Sequence, residues 1–108
     1  MAHYLAQVSY NNQGISDLVN NPQDRSTVIR SVVEGMGGRM EAFYFAFGDY
    51  DAVAIVELPD NVSATAFALA VSAGGAVRRY KTTVLIPMDE AVEAMRKAST
   101  VGYRPPSA

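Results

Sequence analysis

An α+β fold is expected for this chain: a four-stranded antiparallel sheet with helices on one face and a short helix at the C-terminus. Three observations predict it. Strand-like runs and helical stripes alternate in the order β-α-β-β-α-β. The second and third strand-like runs are joined by only four residues, as a hairpin requires. The 108 residues suit one domain with a single core.

His3–Tyr10, rich in Tyr, Leu and Val, ends at the turn-forming Asn-Asn-Gln-Gly and reads as the first strand. Asn21 is then suited to cap a helix, Pro22 to its first position, and Asp24 falls three residues after the cap. Val28, Ile29, Val32, Val33 and Met36 form a stripe of helical period, stopped by Gly37-Gly38. The stretch before this helix, Gly14–Leu18, has room for an extra helical turn. Arg39–Phe47 and Ala52–Leu58 make the hairpin. Asp60 caps an alanine-rich helix over Asn61–Ala73, which ends at Gly74-Gly75. Val77–Ile86 reads as the fourth strand, bounded by Pro87, and Met88, Ala91, Val92 and Met95 have the spacing of a short last helix. This order is the ferredoxin-like split βαβ arrangement, βαββαβ with a trailing helix. The domain is expected over residues 1–98, with 99–108 a flexible tail.

Composition narrows the function classes. A net charge of −2 and a pI near 5.2 give no general attraction to nucleic acid or to anionic membrane. The absence of cysteine excludes disulfides, iron–sulfur clusters, thiolate zinc and a cysteine nucleophile. The N-terminus lacks the basic and apolar blocks of a secretory signal. The longest apolar stretch, Ala64–Ala73, is about half what a membrane-spanning helix needs. A cytoplasmic address is the default expectation.

The hairpin poses a problem of faces. Phe43, Phe45 and Phe47 point one way and are expected under the helices. Tyr44, Val53 and Ile55 point the other way, with Glu57 the only charge on the third strand. A bare apolar sheet face is rare on soluble monomers. A second copy of the chain, face to face in a two-fold dimer, would cover it. The alternatives are partial exposure of Tyr44 or a C-terminal helix folded across the face.

Gln13-Gly14-Ile15, Gly37-Gly38, the stretch AFYFAFGDYDAVAIVELPD at 42–60 and Val77-Arg78 resemble the GYD-domain family of small bacterial proteins. Gly48, Tyr50 and Asp51 correspond to the signature that names the family, and the similarity runs from about Tyr4 to about Glu93. The resemblance implies a ferredoxin-like fold of the dimeric α/β-barrel kind and no established activity. Two features depart from the pattern: the basic Arg79-Tyr80-Lys81 and the tail after Lys97.

Several residues are candidates for chemistry. Asp49 and Asp51 flank Tyr50 at the hairpin tip and have the character of a cation or polar-ligand site. The turn reading is favoured: Gly48 at positive φ, the aspartates bonding nearby amides, and Tyr50 packed back on the hairpin. Glu57 beside Ile55 and near Tyr44 would have a raised pKa in apolar surroundings and serve as a base; a strand-end ion pair is the plainer reading. His3 is the sole histidine, conceivable as a haem ligand or proton shuttle but ordinarily a partly exposed residue. Arg78 falls on one face of the fourth strand, Arg79 and Lys81 on the other, where an anion or a salt bridge to Glu57 or Glu41 would engage them. Ligand contacts are thus sought at Tyr10, Tyr44, Glu57 and Arg78, and catalytic groups at Glu57, Tyr44 and His3. No cofactor or metal is implied.

Two functions compete. One is a ligand-binding or interaction module, dimeric through the sheet face; the other is a small cofactor-free oxygenase or isomerase acting on an apolar or aromatic molecule in a sheet–helix cavity. A cavity of about 300 Å³ reached by Glu57 or His3 favours the enzyme. RNA binding through the sheet is disfavoured, since Val53 and Ile55 stand where stacking rings are needed and the chain is acidic.

Overall fold

The computed structural model describes residues 1–107. Its elements are β1 (Ala2–Tyr10), α1 (Asn12–Asn20), α2 (Arg25–Gly35), β2 (Arg39–Phe45), β3 (Ala52–Leu58), α3 (Asn61–Ala73), β4 (Val77–Leu85) and α4 (Met88–Ala98). The four strands form one antiparallel sheet in the order β2-β3-β1-β4. This is the ferredoxin-like order expected from the sequence, with one helix more than the expected three.

The extra helix is α1, where only a turn was expected. Asn11 caps it, its side-chain oxygen accepting from the Gly14 N–H at 2.8 Å. Asn21 does not cap α2: it closes α1, its N–H donating to the Asp17 carbonyl. The cap of α2 is Asp24, whose carboxylate accepts from the Ser26 N–H at 2.9 Å. A carboxylate beside the positive end of the helix is the better acceptor, so the chain breaks at Asn21–Asp24 and makes two helices. Asp60 caps α3 as expected, accepting from the Ser63 N–H at 2.8 Å.

Strand register sorts the side chains into rows across the face that carries α2 and α3. One row reads Met40–Val56–Tyr4–Val84, the next Phe43–Ala54–Ala6–Thr82, the next Phe45–Ala52–Val8–Tyr80. A bulge at Glu41, between the pairs Met40–Val56 and Ala42–Ile55, keeps Met40 and Phe43 on that same face. The first row is sealed from Met40 to Tyr4, while Val84 at its β4 end is exposed. Tyr4, Val56, Leu58, Val33, Met40 and Phe67 are buried there, and the Tyr4 hydroxyl donates to Asn61 Oδ1 at 2.8 Å. Gly38 is required at this end, because a methyl group on it would run into the Glu57 carbonyl and the Leu58 side chain. The other two rows have alanine at their centres and are not sealed.

The expectation that Phe43, Phe45 and Phe47 all lie in the core is corrected. Phe43 is half-buried, whereas Phe45 is 66 % exposed and Phe47 is fully exposed at the hairpin tip. The strand ends at Phe45, and α2 covers only the β2 end nearer Met40.

At the other end of the chain, α4 buries none of its residues, and Met88 and Met95 stand exposed. The radius of gyration, 17.4 Å, exceeds the roughly 13 Å of a compact domain this size. The C-terminal helix therefore does not fold across the sheet of its own chain.

Candidate functional site: an alanine-floored cleft

Above the two unsealed rows lies a cleft of about 290 Å³. Its floor is Ala6, Val8, Ala52 and Ala54; Val28, Ile29 and Val32 of α2 form one wall, and Phe67, Ala70 and Val71 of α3 the other. Phe43 and Tyr80 close its sides, with Phe67 and Tyr80 in edge-to-face contact, centroids 6.4 Å apart. The physical cause is residue size. Strand positions that ordinarily carry Leu, Ile or Phe carry alanine here, and the helices cannot sink far enough to close the gap because Tyr4, Leu58 and Phe67 prop them at the packed end.

Three side chains give the cleft its polarity: Tyr10, Tyr80 and Arg25. Burial pushes the Tyr80 phenol up to about 12, with a Thr82 hydroxyl bond pulling the other way. Burial also raises Tyr10, while the nearby Arg25 charge lowers it and Asp51 raises it. Both phenols are therefore neutral hydrogen-bonding groups at physiological pH. Arg25, Tyr10 and Phe43 also line a second, larger depression of about 560 Å³, bounded by Ile15, Leu18, Val19 and Phe45.

The hairpin signature holds Tyr10 in place. Pairing between β1 and β3 ends at Val8–Ala52, two residues short of Tyr10, which leaves the Tyr10 N–H without a ladder partner on that side. Asp51 Oδ2 accepts that N–H at 2.9 Å, and the Asp51 N–H donates to the Val8 carbonyl at 2.8 Å. Ser9, buried on the opposite side, donates its hydroxyl to the Asp49 carbonyl at 2.8 Å. The tip thus clamps the end of β1 instead of bonding amides within its own turn. Gly48 does not adopt positive φ, contrary to expectation; among the described residues only Gly37 and Gly75 do, and a methyl group on Gly48 would meet nothing. Gly14 has a clear reason: a methyl group there would lie 2.6 Å from the Ala76 carbonyl oxygen and 3.3 Å from Tyr10 Cβ.

The other sequence candidates lie elsewhere. His3, Glu57 and Tyr44 are on the opposite face of the sheet, away from the cleft. There Arg39 Nε donates to Glu57 Oε2 at 2.7 Å, and His3 Nδ1 lies 3.0 Å from Glu41 Oε1 and Nε2 3.7 Å from Glu57 Oε1. The bond from Arg39 holds the Glu57 carboxyl below its ordinary range, the reverse of the raised value expected of a base. The ligand-type atoms of His3, Glu41 and Glu57 lie within 4.8 Å of one another, but the guanidinium already occupies Glu57, so the group reads as an ion-pair network. Arg39 and His3, not the basic residues of β4, are the partners of Glu57 and Glu41. Arg78 is exposed and lines neither concavity. Tyr44 is 69 % exposed beside half-buried Val53.

Of the residues singled out in the sequence, only Tyr10 reaches the cleft. Arg25, Tyr80 and the floor alanines were missed. The available signal was the alternation Ala52, Ala54 facing Ala6 on strands otherwise expected to carry large core residues.

The GYD domain model matches residues 4–95. The chain belongs to the GYD domain family. No curated protein matches it. Among solved structures, TTHA0845 from Thermus thermophilus is similar with 16 % identity and a TM-score of 0.54, over 81 % of this chain and 95 % of that one. FFRP-DM1 shares 13 % identity at a TM-score of 0.50, over 80 % of this chain and all of its own. MtbAldR shares 17 % at 0.52, over 80 % of this chain and 52 % of its own. At these identities the likeness extends to the fold alone. Within this GYD domain, the family signature is the clamp on β1, one residue removed from the cleft.

Proposed function

We propose that this GYD-domain protein is a binding module for an apolar or aromatic small molecule, held in the cleft between the sheet and helices α2 and α3. The observation that carries the proposal is the alanine floor, which leaves about 290 Å³ of apolar-walled space where a ferredoxin-like core is ordinarily filled. Binding is favoured over turnover by an oxygenase or isomerase because neither imidazole nor carboxylate lines the cleft. Glu57 and His3, the groups such chemistry would need, are on the far side of the sheet. The test is calorimetric titration with naphthylmethanol, a neutral aromatic of suitable size. Saturable binding that Ala70→Leu weakens supports the reading; no binding to the native chain sinks it.

A second reading concerns association. Leu5, Val53, Ile55 and Leu85 form an apolar strip on the outer face with Tyr44, and α4 leaves the strip uncovered in its own chain. The protein accordingly pairs with a second copy through this face. A solution mass near 11.6 kDa at micromolar concentration would rule that out.

A further inference from the structure

We infer that the ligand of the cleft carries an acidic group, a carboxylate on an apolar or aromatic body, and that Arg25 receives it. The inference rests on the cleft being a binding site, and adds the chemical class of what it binds.

Arg25 is the only charged residue lining the cleft, so the one formal charge at the site is positive. It is half-buried, and its guanidinium donates to a neutral acceptor, Gln23 Oε1, at 2.9 Å. Among the described residues no carboxylate lies within ion-pair distance of it, in contrast to Arg39 and Arg96, each of which has a glutamate. Asp24, its neighbour in sequence and the only acid of the adjoining depression, is engaged at its own helix cap with Ser26. A guanidinium without a carboxylate partner, on a half-buried residue that lines an apolar cavity, matches an anion that arrives attached to apolar mass.

The helix adds to that sign, while Asp51 near the Tyr10 phenol and Asp24 at the cap carry the opposite charge. Arg25 is the first residue of α2, where the helix dipole favours negative charge. The Tyr10 phenol, neutral at physiological pH and close enough to Arg25 to feel its charge, offers a donor on the other side. Its backbone is held by Asp51, which accepts the Tyr10 N–H at 2.9 Å. A cationic ligand would meet Arg25 unfavourably, and a neutral one would accept from it without the added strength of opposite charge.

The experiment compares naphthylacetate, naphthylmethanol and naphthylmethylamine by calorimetry on the full chain, with Arg25→Gln and Ala70→Leu variants. The expected order is acid tighter than alcohol, and alcohol tighter than amine. Arg25→Gln should weaken naphthylacetate about tenfold or more, the size of a lost charge-assisted bond, and naphthylmethanol by distinctly less, the size of a neutral one. Ala70→Leu should weaken both. Equal affinities for acid and alcohol, or an acid affinity indifferent to Arg25→Gln, overturn the acidic-ligand inference and leave the cleft as a neutral site. Failure of all three compounds to bind removes both readings together. Thermal unfolding of Arg25→Gln with a native-like midpoint ensures that lost affinity is not lost folding.

Discussion

Replacing Ala70 with leucine tests whether the gap between sheet and helices is a cavity or a closed core. Ala70 faces the cleft from α3 together with Phe67, Val71 and Gly74 at helical spacing, and is exposed. Leucine adds three carbons. At about 0.8 kcal/mol for each buried methylene, complete burial would contribute about 2.4 kcal/mol. One side of the residue remains open to solvent, so roughly half of that, about 1 kcal/mol, is expected. Alanine and leucine are both good helix formers, and propensity changes the figure little. For a chain of this length 1 kcal/mol raises the unfolding midpoint by roughly 4–8 °C. Thermal unfolding followed by circular dichroism provides the measurement. Ser72→Leu, exposed and outside the cleft, is the control and should stay within about 0.5 kcal/mol of the native chain. A midpoint lowered by Ala70→Leu, as overpacking by about 1–3 kcal/mol would produce, refutes the cavity argument.

Two further outcomes follow from the same geometry. Asp51→Ala deprives the Tyr10 N–H of its acceptor and should cost about 1–3 kcal/mol in urea unfolding, with weaker cleft binding; Asp51→Asn, which keeps an acceptor oxygen, should recover most of both, and an undiminished Asp51→Ala would remove the clamp from the argument. Glu57 has a folded pKa held below its unfolded value, so its contribution is present above the ordinary carboxylate range near about 4.3 and is lost as pH falls through the lowered folded value. The midpoint difference between the native chain and Glu57→Gln should therefore shrink on acidification, and a difference constant with pH would contradict the Arg39 pairing.

Much of the fold was legible because its signals are local. Strand alternation, the Gly37-Gly38 stop and the Asp60 cap each act within a few residues, and each element they mark is present. The break between α1 and α2 was misplaced because Asn21 and Asp24 both satisfy capping preferences, and only the chain path shows which one meets an amide. The phenylalanines were misread for a related reason: alternation fixes the face of a side chain but not how far the covering helix extends. Phe43 and Phe45 differ in that cover, and Phe47 lies beyond the end of the strand.

The site was far less legible. Glu57 and His3 drew attention as titratable residues, yet pairing across β1, β2 and β3 brings Arg39 to them and turns a candidate base into a neutralised carboxylate. Arg25 is one basic residue among nine. Its significance depends on which residues are absent around it, and that is a tertiary fact.

By itself, then, the sequence determined the order of the four strands and of every helix but α1, the two faces of the sheet and the family, because periodicity, capping and the Gly48-Asp49-Tyr50-Asp51 hairpin are written in neighbouring residues. The tertiary structure alone decided that Ala6, Ala52 and Ala54 meet side by side under two propped helices. It also decided that Asp51 reaches the backbone of Tyr10. A cavity is a sum of volumes contributed by strands far apart in the chain, and no local pattern records that sum.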